Sequence, residues 1–142
     1  HFLHVFSLWR SGYSATVPYR DAHQNALGLG LNEAFLVRAR NVLVPGGSVV
    51  LNLGGRPGLK RLLQLFEGAG YTPRIVHSEK IPQHSDTSLA SLVALEKNGH
   101  NNFEFFGDSS CEEPIDAREA EARRLKGTPI YHKIYVIAGT LA

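Results

Sequence analysis

The chain of 142 residues contains no methionine, one cysteine and one tryptophan. It begins at His1, so the expectation is that this residue is not a translation start and that part of the machinery lies upstream. The single cysteine, Cys111, excludes an internal disulfide and a cysteine zinc cluster. No apolar run approaches the roughly 20 residues of a membrane span. The opening HFLHVFSLW is too short for one and lacks the flanks of a signal peptide. The default expectation is therefore a cytoplasmic protein without a membrane partner. Charge of one sign is scarce as well. The net charge is +2 with His neutral, too little to argue for nucleic acid, which needs Lys and Arg clustered on one face. The densest basic stretch, Arg118 to Lys126, is interleaved with Glu119 and Glu121 and reads as a solvated helix face.

What is present is an ordinary globular composition, 43% hydrophobic and 20% charged, so a core is expected and disorder is not. Residues 1–27 read as an irregular segment, with an apolar stretch Phe2 to Trp9 and a turn-rich loop SGYSATVPYRDAHQN. Residues 28–142 read as one α/β unit. A helix is expected over 32–44, capped by Asn32, with Phe35, Leu36, Ala39, Val42 and Leu43 on one face and Pro45-Gly46-Gly47 ending it. SVVLNL at 48–53 has the β-branched, apolar character of a buried strand. Leu59, Leu62, Leu63 and Phe66 mark an amphipathic helix over 59–68. A strand over 71–81 follows, then a helix capped by Ser85 or Asp86 and carrying Leu89, Leu92, Val93 and Glu96, with a strand as the alternative because LVALE also alternates. Next come a strand at Phe103–Phe106, a polar helix over Pro114–Leu125 and a last strand at Tyr131–Leu141. The helix–strand alternation implies α/β layers. It has the look of the second half of a Rossmann-like doubly wound sheet, mixed, with antiparallel C-terminal strands. An inner sheet edge left unpaired would be a place for self-association or for missing strands.

In open α/β sheets, ligands bind beyond the carboxyl ends of parallel strands. Strand 48–53 ends in Asn52-Leu53-Gly54-Gly55-Arg56, where two glycines allow close backbone approach, Asn52 offers donor and acceptor, and Arg56 is a planar cation. A plain strand-to-helix turn would use the same residues. Gln83, His84, Ser85 and Asp86 form a second polar group, for which a helix cap is the competing role. Glu104 lies between phenylalanines and is expected to face away from them. The seven histidines, at 1, 4, 23, 77, 84, 100 and 132, show no metal-binding spacing. Neither GLGL at 28–31 nor GGRPGLKR has the spacing of a nucleotide phosphate loop. Cys111 sits among acidic residues, which argues against a reactive thiolate. Ser109 and Ser110 lack a nearby His pattern for a nucleophilic triad.

Certain strings carry a resemblance. ARNVLVPGGSVVLNLGGRPG is similar to the passage from the fourth helix to the fifth strand in class I S-adenosylmethionine-dependent methyltransferases. GLGL, GGRPG, LFEGAGY, DTSLASLVALEKN, FEFF and PIDAREA follow in order, and over residues 28–126 they resemble the methyltransferase domain of methionine S-methyltransferases and their bacterial relatives. The resemblance implies methyl transfer from S-adenosylmethionine to a small-molecule acceptor, the thioether sulfur of methionine. It also implies that the glycine-rich cofactor loop, the ribose-binding acid and the N-P-[NP]-[PY]-like motif lie outside this chain. No cofactor-binding or catalytic residue is carried over, and the isolated chain is expected to be inactive.

Three readings stand side by side. In the first, the chain is the C-terminal half of such a methyltransferase, and its substrate-facing surface is built from Asn52, Gly54, Gly55, Arg56, Gln83, Asp86 and Thr87. In the second it is a non-catalytic α/β interaction or dimerisation module. In the third the enzyme methylates a protein glutamine.

Overall fold

The computed structural model describes residues 27–98 and 102–142. The expected irregular segment lies, apart from residue 27, outside the described residues, as do His1, His4, His23 and His100. The elements in chain order are α1 (Gly30–Ala39), β1 (Ser48–Gly54), α2 (Leu59–Gly68), β2 (Tyr71–Pro82), α3 (Ala90–Lys97), β3 (Phe105–Phe106), β4 (Pro114–Ile115), α4 (Ala117–Leu125) and β5 (Tyr131–Leu141). They form a mixed α/β fold with four helices and a five-stranded sheet among the described residues.

β5 is the centre of that sheet. β1 runs antiparallel along one edge of it, from Ser48 opposite Thr140 to Gly54 opposite Ile134. β2 runs antiparallel along the other, from Tyr71 opposite Leu141 to Pro82 opposite Tyr131, with a register shift between Ile75 and His77. Tyr131 also pairs with Phe106, so the short β3–β4 hairpin continues the β1 edge. β1 and β2 thus point the same way, as an αβαβ order requires. They do not pair with each other, because β5 lies between them. Every described pairing is antiparallel.

Strand alternation assigns the faces. Val49, Leu51 and Leu53 share a face with Tyr135, Ile137 and Gly139 of β5. There α2 packs, with Leu62 and Phe66 wholly buried. The approach is close enough that a Cβ on Gly139 would lie 2.5 Å from the Phe66 ring. On the opposite face Ser48, Val50 and Asn52 of β1 are exposed. The Tyr71 hydroxyl donates to the Leu36 carbonyl at 2.8 Å, satisfying one of the last-turn carbonyls of α1.

Four local expectations are corrected. α1 begins at Gly30, with Leu29 at the cap and no side-chain cap bond, and it ends at Ala39 rather than at 44. Val42 and Leu43 turn back onto the Ala39 carbonyl, and Val42 and Phe35 are exposed rather than part of the buried face. α3 is capped at Leu89, not at Ser85 or Asp86. The strand expected over Phe103–Phe106 is confined to Phe105–Phe106. Pro114–Ile115 is a strand, and the helix starts only after Asp116, whose side chain accepts from the Glu119 amide at 2.8 Å.

The shift of α3 has a tertiary cause. Its N-terminus is capped by a carboxylate from α4: Glu121 accepts from the Leu89 amide at 3.1 Å and from the Ser88 hydroxyl at 3.4 Å. The favour is returned. Glu96 of α3 accepts from the amides of Ala117 at 2.8 Å and Arg118 at 3.3 Å in the first turn of α4, and from Phe103 at 2.9 Å. Each helix thus neutralises the other's orphan N–H groups and positive dipole end.

Candidate functional site

β1 and β2, which run the same way on either side of β5, both end on one side of the sheet, where β5 begins. Two strand spacings separate their ends, roughly 10 Å. Three polar residues from three elements stand at this end. Arg56 follows β1, and the preceding Gly55 amide donates to the Lys133 carbonyl at 2.7 Å, holding the loop against β5. Gln83 follows β2, with its amide bonded to the Ile130 carbonyl at 2.8 Å. His132 is the second residue of β5 and lies opposite Ile81.

Their electrostatics are unusual. Burial pushes the Arg56 pKa down, and no described ion pair includes Arg56. Burial, helped by the Arg56 charge, pushes the His132 pKa down to about 4, so its imidazole is neutral at pH 7. His132 Nδ1 and Gln83 Oε1 are buried and have no hydrogen-bond partner. Buried polar atoms are nearly always paired, so two orphans at the sheet end that carries an unneutralised cation mark a place open to a further partner.

The other expected site residues take different positions. Asn52 is exposed on the open sheet face, opposite Val136. Gly54 is exposed with open space where a Cβ would be. Gly55 is buried, and a Cβ there would lie 2.6 Å from the Lys133 carbonyl, so the close backbone approach it permits is to β5. Asp86 and Thr87 are exposed in the turn after Gln83, where the Asp86 carboxylate lies 3.9 Å from His84 Nδ1. Arg124 of α4 donates to the Ser85 carbonyl at 2.9 Å and tethers that turn. Of the seven, Arg56 and Gln83 stand at the same end of the sheet, on either side of β5; His132 lies between them unforeseen, because only the β5 register brings it there.

Beside the site an open cleft of about 430 Å³ runs from Pro57 and Gly58 past Arg61 to Glu104 and Asp116. The Glu104 amide donates to the Arg56 carbonyl at 2.7 Å, which carries the loop after residue 101 against the end of β1. Cys111 is buried with φ 56°. Its thiol pKa is raised chiefly by burial, with Asp108 and Glu104 adding to it, so the expected unreactive thiol has mainly a desolvation cause. Among the described residues no group of His, Cys, Asp or Glu has the arrangement to hold a metal ion, and no helix is long and apolar enough to cross a membrane.

No protein-family model matches the chain. Sequence relatives do. The methionine S-methyltransferase of Zea mays is 37% identical over 113 residues, which is 80% of this chain and 10% of that protein. The chain is homologous to a segment of plant methionine S-methyltransferases. The Hordeum vulgare protein of that name is 36% identical over 113 residues, again 80% of this chain and 10% of its own length. That of Arabidopsis thaliana is 35% identical over 113 residues, 80% of this chain and 11% of its own. The chain spans about a tenth of the length of the curated relatives it matches.

Proposed function

We propose that the chain is the acceptor side of an S-adenosylmethionine-dependent methyltransferase domain, with methionine as the methyl acceptor. The observation that carries this is identity of 35–38% to four proteins named methionine S-methyltransferase, over most of this chain. β1 and β2 running the same way, with α2 between them in the chain, are in keeping with half of a doubly wound sheet. The far edge of β1 has no partner among the described residues, as expected where such a sheet continues.

The described residues do not make a cradle for the methyl donor. They include one strand–glycine loop–helix passage, and there Gly55 is packed against β5 while the polar group that follows is the cation Arg56. No step is therefore routed through the donor's loop. The acceptor side is simpler. A thioether sulfur carries its own lone pair, so it needs orientation rather than deprotonation. The site suits that task, because His132, held near 4, is a weak base at neutral pH.

The test is methyl transfer by the full-length protein from isotope-labelled S-adenosylmethionine to L-methionine, with the sulfonium product read by mass spectrometry. Absence of transfer to methionine would overturn the acceptor assignment. The unpartnered β1 edge favours a second reading, pairing with another copy of the chain. Light scattering after size exclusion tests it, and a monomer at all concentrations refutes it.

A further inference from the structure

We propose that Arg56, Gln83 and His132 form a subsite for the zwitterionic end of an α-amino acid, Arg56 taking the carboxylate and the two orphan acceptors taking the ammonium group. The assignment rests on the methyl-acceptor reading above and deepens it.

A cation withdrawn from water without a partner is costly, and the cost is recovered when an anion completes the pair. Arg56 is in that position, with desolvation depressing its pKa and no carboxylate beside it among the described residues. Guanidinium matches carboxylate in a two-bond geometry that Lys does not reproduce. An anion alone would leave Gln83 Oε1 and His132 Nδ1 unsatisfied. Gln83 Oε1 is an acceptor, and so is His132 Nδ1 in the neutral tautomer that carries its proton on Nε2; the ammonium group of an amino acid brings three donors. One cation and two acceptors are therefore complementary to a carboxylate with an adjacent ammonium, and they mismatch a phosphate or sulfate. The location agrees: Arg56 and Gln83 stand at the carboxyl ends of β1 and β2, where open α/β sheets bind ligands, and His132 enters between them on β5.

The experiment measures binding to the full-length protein by calorimetry, with four probes: L-methionine, L-norleucine, L-methionine methyl ester and N-acetyl-L-methionine. Norleucine keeps the zwitterion and lacks the sulfur. It should bind within about tenfold of methionine, whereas the ester and the N-acetyl compound should each bind at least ~10-fold more weakly, about 1.4 kcal/mol. Arg56→Ala should weaken methionine and norleucine at least tenfold and leave S-adenosylhomocysteine binding unchanged. Arg56→Lys, which keeps the charge and the fold, should lose most of the same affinity. Gln83→Leu and His132→Phe should raise KM for methionine with kcat nearly constant.

Equal affinity for the zwitterion and its blocked forms overturns the subsite. So does undiminished methionine binding in all three positional variants while methyl transfer persists, and that result leaves the proposed function intact. Norleucine binding that depends on Arg56, without any methyl transfer to methionine, supports the subsite and removes the proposed reaction. Absence of binding by every probe overturns both.

Discussion

Replacing Glu121 by alanine should destabilise the fold by about 2–4 kcal/mol, and the structure lets that figure be assembled. Glu121 is 14% exposed and Arg124 16%, so their contact at 2.7 Å is shielded from solvent more than an ordinary surface pair. Bonds from Arg124 first, then from the Leu89 amide and Ser88, outweigh the burial that opposes them and hold the Glu121 pKa down to about 2. Removing the carboxylate strips the cap from α3, whose N-cap residue Leu89 is 1% exposed, and leaves the Leu89 amide without a partner. An unsatisfied buried amide costs about 1–3 kcal/mol, and a partly shielded ion pair adds on the order of 1 kcal/mol. Each kcal/mol lowers Tm by roughly 3–5 °C in a chain of this size. Urea titration followed by far-UV circular dichroism measures the loss, with an unchanged slope marking a stability effect. Glu121→Gln should fall between wild type and alanine, since it keeps one acceptor and loses the charge. A cycle with Arg124→Ala should show coupling of about 1 kcal/mol. A Glu121→Ala protein within about 0.5 kcal/mol of wild type would show that α3 does not depend on α4 for its cap, and the reasoning would fail.

Further outcomes follow from the same geometry. Glu96→Ala should cost about 2–3 kcal/mol by uncapping α4 and freeing the Phe103 amide, and amide hydrogen exchange should localise the new opening to the start of α4 and the segment before β3. Gly139→Ala should destabilise by about 1–3 kcal/mol, because its methyl group meets the Phe66 ring and Tyr71 Cβ; Gly139→Ala combined with Phe66→Leu should recover part of the loss in the same urea assay. Acid should act in two stages. His132 titrates near 4 in the fold against an ordinary 6.5, so between those values the unfolded chain gains a proton that the folded chain lacks, and stability falls as pH drops through that window. Glu121, at about 2 against an ordinary 4.5, contributes stability that is complete above 4.5 and is lost below it. His132→Gln should flatten the urea midpoint between pH 6.5 and 4.5 and leave the later loss unchanged; identical slopes in that interval would refute the His132 assignment.

Local pattern was enough for the elements whose signals are local. The apolar spacing of Leu59, Leu62, Leu63 and Phe66 with glycines on both flanks marks α2 at its observed bounds, and the β-branched character of Tyr131–Leu141 marks β5. Where α1 and α3 begin was not legible in this way. Ser85 and Asp86 have the chemistry of a cap, yet the acceptor that caps α3 is Glu121, 32 residues beyond Leu89. A carboxylate on a charged helix carries no mark of which distant amide it will meet.

The candidate site divides along the same line. Sequence alone determined that Arg56 ends a strand in a glycine loop and that Gln83 follows another strand, because turn residues and strand ends depend on neighbouring side chains. Tertiary structure decided that the two share one end of the sheet, that β5 separates them, and that His132 comes between. Register across β5 is settled by the burial of its Tyr135 and Ile137 and the packing of Gly139 against Phe66 of α2, a contact between segments far apart in the chain. Burial, which leaves Arg56 uncompensated and His132 neutral, exists only once those segments have met.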